Sequence, residues 1–167
     1  MPNTPVRAAS GAVQNSKRIQ FTIHPDDFPE VYAMVLDGHC MEPWLHHDQK
    51  LVMSKTEAYK PGDIVALFIR PELLQPGQHQ ILLKRLKYAI APWARFGADL
   101  HPKAELDPLV IVEQINPRRE LVFRASQIQA IHKCLGPVPD DVETYVVTDD
   151  EAREIARRER ARRGRPA

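Results

Sequence analysis

With 167 residues, 43% of them hydrophobic, the chain is long enough for one domain with a buried core plus tails. Its 23 Lys and Arg against 22 Asp and Glu leave a net charge of +1, which excludes a whole-chain bias toward nucleic acid or membrane. The 15 prolines, 7 glycines and 2 cysteines exclude both a collagen-like repeat and a disulfide framework.

Cys40 and Cys134 therefore read as free thiols in a reducing compartment. No apolar run approaches the ~20 residues of a membrane helix, and Met1–Asn15 carries no apolar segment of signal-peptide type. The expectation is a cytoplasmic protein with no membrane partner.

Residues 1–17 are small and polar and read as a flexible N-terminal arm. They leave no room for a helix-turn-helix, so no DNA-binding domain is expected there. Arg18–Ile23 alternates polar and apolar residues, as a half-buried strand does, and His24-Pro25-Asp26-Asp27 ends it. Tyr32–Leu36 is the next strand. It runs into Gly38-His39-Cys40-Met41-Glu42-Pro43, where a nucleophile-type side chain follows a glycine turn. Trp44–Gln49 is a loop and Lys50–Ser54 a strand. Lys60-Pro61-Gly62-Asp63 is a strong turn signal. Ile64–Ile69 is almost wholly apolar, so it reads as a central strand buried on both faces.

Pro71–His79 is an exposed connection. Gln80–Ile90 is a strand that embeds Lys84 among Ile81, Leu82, Leu83 and Leu86. Ala91–Pro108 is a long insertion without a clear period. Leu109–Glu113 and Leu121–Arg124 are strands around the turn Asn116-Pro117-Arg118-Arg119, and Ser126–Leu135 is a last strand stopped by Gly136-Pro137. Beyond Pro139 the composition shifts. Thr148-Asp149-Asp150-Glu151 is a capping box that starts a helix over Ala152–Arg163, acidic at its start and basic at its end. The chain is thus a flexible arm (1–17), a mainly β domain with mixed connections (18–138) and a charged C-terminal helix with a basic tail (139–167).

These motifs resemble, in order, those of one family. Gly38-x-Cys40-Met41-x-Pro43, Pro61-Gly62-Asp63-Ile64-Val65, Leu83-Lys84-Arg85-Leu86, Asn116-Pro117 and a final strand ending at Gly136 are similar to the peptidase domain of LexA-type repressors, UmuD and phage repressors. That domain is related to signal peptidases, and the resemblance covers roughly residues 21–136. It implies a mixed β-sheet fold of the LexA and signal-peptidase type with the helix peripheral. It also implies a nucleophile at position 40, a general base at Lys84, and an oxyanion site and cleft around Gly38, Met41 and Pro43. A homodimer, a peptide segment or protein partner in the cleft, and a role in SOS-type stress or mobile-element regulation are further implications. No cofactor is implied.

The chain departs from the family at the nucleophile, where Cys40 stands in place of serine. A thiol is more acidic than an ammonium group, with reference pKa values of about 8.5 and about 10.4, so a proton shared by the two residue types rests on the amine. The larger sulfur also changes the attack geometry. The expectation is a weak or inactive peptidase. The alternatives are an active Cys/Lys autopeptidase and a binding module that holds a peptide as an added strand. Family members cut between a small residue and glycine, and the candidate bond here is Ser10-Gly11.

Two other constellations have plainer readings. His39, Cys40, His46, His47 and Asp48 are metal-ligand types, but their spacing matches no known finger pattern and the adjacent histidines of an extended chain point to different sides, so a solvated loop and no metal site are expected. A Cys40–His39 dyad is disfavoured because adjacent residues of an extended chain face opposite ways. The arginines from Arg153 to Arg165 are interrupted by Glu154 and Glu159 and lack aromatics, which fits a solvated helix with at most weak nucleic-acid contact.

Overall fold

The computed structural model describes residues 8–9, 24–89, 107–144, 146–147, 149–162 and 164. Among these residues nine strands and one α-helix follow in chain order: β1 (Ala8–Ala9), β2 (Val31–Val35), β3 (Lys50–Ser54), β4 (Ile64–Ile69), β5 (Ile81–Ala89), β6 (Leu109–Gln114), β7 (Arg119–Arg124), β8 (Ile128–Pro137), β9 (Val146–Val147) and α1 (Asp149–Arg162). The protein is mainly β with one peripheral helix, as its short apolar runs and turn signals predict. The expected strand Arg18–Ile23 and most of the insertion after Ala89 lie outside the described residues, as does Thr148 of the capping box.

The strands form one sheet in the order β7-β6-β5-β4-β8-β3-β2-β1-β9. The seven long strands pair antiparallel throughout. The two-residue strands β1 and β9 pair parallel at one edge. Strands β4 to β7 make a simple meander, and β8 crosses back to lie between β4 and β3.

β4 is buried on both faces, and its alternation divides the core. Ala66 and Phe68 point into one cluster with Phe28, Tyr32, Leu36, Met41 and Leu83. Val65, Leu67 and Ile69 point into the other with Leu86, Val110, Val112 and Ile131. A side-chain period of two therefore serves two cores from one strand. Helix α1 rests Ile155 against the first cluster.

β8 runs through the expected stop at Gly136-Pro137. Met53 pairs with Cys134 and Val52 with Gly136, so Leu135 is an extra residue, pushed out to 47% exposure. Gly136 takes φ 113° at this bulge, a backbone conformation that only glycine adopts easily. The glycine thus bends the strand where a stop was expected, and pairing with Leu51 continues to Pro137.

One buried polar pair sits within the first cluster. The Tyr32 hydroxyl lies 2.8 Å from His132 Nδ1. The imidazole is surrounded by the rings of Phe28, Tyr32 and Phe68. Burial, aided by the charge of Lys55, pushes the His132 pKa down to about 3. His132 is therefore neutral throughout the physiological range.

Candidate active site

The segment after β2 is built as a tight turn on a buried peg. Leu36 ends the apolar run and ties the loop back, its N–H donating to the Gln49 carbonyl and its carbonyl accepting from Asp48 N–H. Gly38 then turns with φ 103°, and its N–H donates to His47 Nδ1 at 3.0 Å. Met41 is fully buried in the first core cluster, and its carbonyl accepts from the N–H groups of Trp44 and Leu45 at 2.9 and 3.1 Å. The methionine side chain therefore anchors the turn from below and lines no open surface. Pro43 is exposed, and its bond to Glu42 is cis.

Cys40 sits between these anchors, half-buried at the edge of the first cluster. Its carbonyl accepts two N–H groups, from Ile115 and Asn116, both at 2.9 Å. The turn between β6 and β7 thus fixes the cysteine backbone. Asn116-Pro117 stands out in the sequence only as part of a motif; the two amides that grip residue 40 have no signature there. Among the described residues the N–H groups of Cys40 and Met41 donate to no acceptor.

Lys84 lies on β5, opposite Val65 of β4, and is 4% exposed. Its Nζ stands 3.1 Å from Cys40 Sγ and 3.1 Å from the Leu83 carbonyl. Sγ lies 4.0 Å from that same carbonyl. The two side chains that the sequence singles out are therefore brought into hydrogen-bond distance from residues 44 apart in the chain. A thiol beside a buried amine can pass its proton to that amine, act as a nucleophile and later receive the proton back through a leaving group.

His39 plays no part in this contact. Its Nδ1 bonds Glu42 Oε1 at 2.8 Å, and that hydrogen bond and charge raise the His39 pKa and lower that of Glu42. His47 lies beside His39, with ring centroids 5.1 Å apart, and also near Asp37 and Asp48. Among the described residues no three His, Cys, Asp or Glu side chains are grouped closely enough to hold a metal ion.

A neighbouring group was not legible as a site in the sequence. Trp44, directly after the motif, is 49% exposed, and the Arg85 guanidinium lies 5.1 Å from its ring centroid. Arg85 is in turn held by the buried Glu113 at 3.3 Å, and Arg118 bonds the other Glu113 oxygen at 2.8 Å. The Arg118 hydrogen bond, with the charges of Arg118, Lys87 and Arg85, holds the Glu113 carboxyl below its ordinary pKa. An exposed tryptophan propped by a fixed arginine forms a firm apolar wall beside the nucleophile turn.

Ser10 and Gly11 lie outside the described residues, but the two residues before them form β1. Ala8 pairs with Ala33 and Ala9 with Met34, parallel to the strand that leads to Cys40, and β9 pairs with the far side of β1. On α1, Glu154 takes both Arg157 and Arg158 at 2.7 and 3.0 Å, so those two charges are partly satisfied within the helix. No helix among the described residues is long and apolar enough to cross a membrane. Compared with protein-family models, curated proteins and solved structures, the chain has no match.

Proposed function

We propose that this chain is a LexA/UmuD-like peptidase-type protein that holds an extended segment along β2 and cuts it slowly with a Cys40–Lys84 dyad. The observation that carries this reading is the 3.1 Å contact between Lys84 Nζ, buried in the sheet, and Cys40 Sγ, half-exposed at the turn. The thiol proton moves to the amine, and Sγ attacks the carbonyl carbon of the bound strand. The free amides of Cys40 and Met41 receive the oxyanion. The ammonium protonates the leaving amine, and water, deprotonated by Lys84, releases the thioester. The β1 pairing supports the binding half, because β2 already accepts an added strand by main-chain hydrogen bonds. A second copy of this chain, as in the family it resembles, is the partner that the reading carries with it.

The second reading is binding without turnover. The cysteine favours it, because a longer side chain bearing a larger atom meets a carbonyl at a shifted angle and distance. Intact-mass measurement over time at mildly alkaline pH separates the two. Clipping of the wild-type chain near Ser10-Gly11 that disappears in Lys84→Ala supports the dyad. A full-length wild type beside a clipped Cys40→Ser variant means that binding is the natural role on a competent scaffold. If both remain intact with added peptide present, the peptidase reading is wrong.

A further inference from the structure

The Cys40–Lys84 pair has a second chemistry, independent of peptide cleavage. Among the described residues Nζ has only Sγ and the Leu83 carbonyl within hydrogen-bond distance, and no carboxylate pairs with it. The amine is thus aimed at sulfur. Sγ is half-buried, which leaves it open to a small oxidant. The other cysteine is differently placed: Cys134 lies on β8, and burial raises its thiol pKa, which disfavours the reactive thiolate. One cysteine of the two therefore meets a nitrogen nucleophile.

We infer that a hydroperoxide converts Cys40 and Lys84 into a reversible intramolecular sulfenamide cross-link. In the first step Sγ attacks a peroxide oxygen. An S–O bond forms, the O–O bond breaks, sulfur is oxidised to the sulfenic acid, and the departing oxygen leaves as water or an alcohol with the thiol proton. In the second step the Lys84 amine attacks sulfur. An N–S bond forms, the S–O bond breaks, and hydroxide leaves as water with an amine proton. The lysine stem needs only to close from 3.1 Å to bonding distance. A thiol reductant reverses the link by attacking sulfur and returning the amine. On the dyad reading proposed above, the link silences nucleophile and base together and protects Cys40 from irreversible oxidation.

The test uses the full chain carrying Cys134→Ser, so that no disulfide can form between its two cysteines. The chain is treated with hydrogen peroxide at mildly alkaline pH and followed by intact mass and tryptic mapping. The expected result is a loss of about 2 Da, joined Cys40 and Lys84 peptides, no cleavage after Lys84, and full reversal by a thiol reductant. Adding Lys84→Arg should convert the product to a gain of about 16 or about 32 Da. A gain of that kind in the chain that retains Lys84, with normal tryptic cleavage after it, overturns the inference. The mass shift does not depend on turnover, so failure of the peptidase reading and failure of the cross-link are separate results.

Discussion

The neutral imidazole of His132 sets how the fold responds to acid. Its pKa is pushed down from 6.5 to about 3, first by burial and then by the Lys55 charge. Between those values the unfolded chain binds a proton that the folded chain refuses. Stability is therefore fully present above pH 6.5 and falls as the pH is lowered toward 3. At about pH 4 the difference in proton uptake is worth on the order of 3 kcal/mol relative to about pH 7, a large share of a domain's stability. Carboxylates such as Asp107 and Glu113, whose pKa values are held low in the folded state, add to the acid loss, so a matched comparison is needed. His132→Gln removes the titration and keeps a hydrogen-bonding group for the Tyr32 hydroxyl. Urea unfolding of both chains at about pH 7 and about pH 4 should show the wild type losing on the order of 3 kcal/mol more than the variant. Equal losses in the two chains would refute the argument, as would an NMR titration of His132 with a midpoint near 6.5.

Three further outcomes test the site and the sheet. Trp44→Ala should weaken binding of an extended peptide by roughly tenfold, read by fluorescence anisotropy, with unfolding unchanged because the ring is half-exposed. Leu67→Ala, at a fully buried position of the second cluster, should cost about 2–5 kcal/mol in urea unfolding. Gly136→Ala should cost about 1–2 kcal/mol by the same assay, since no atom blocks the added methyl and the φ of 113° alone resists it.

The sequence was legible where side chains alternate or where a turn demands one residue type. The run Ile64–Ile69 announces a strand buried on both faces, and the two clusters it feeds bear this out. Lys60-Pro61-Gly62-Asp63 marks its turn before β4, with Gly62 at φ 98°. The order of motifs picked out Cys40 and Lys84, which the fold brings to 3.1 Å. Three things were not legible. Gly136 next to Pro137 looks like a stop, because a bulge and a strand end use the same residue. The grip of Ile115 and Asn116 on the Cys40 carbonyl is made by main-chain groups, which every residue carries alike. The proximity of Arg85 to Trp44 depends on a long-range crossing that no local pattern encodes.

The crossing of β8 fixes when this sheet can exist. β2 and β3 form a hairpin pair by themselves, and β4 to β7 form a meander by themselves. Among the described residues the only long strand joining the two is β8, which ends at Pro137. During synthesis the sheet edges of β3 and β4 therefore stay open until that strand emerges. Cys40 belongs to one half and Lys84 to the other, so their 3.1 Å contact spans the seam that β8 closes. A chain that ends before residue 128 has every residue of the dyad but lacks the strand that hydrogen-bonds the two halves into one sheet.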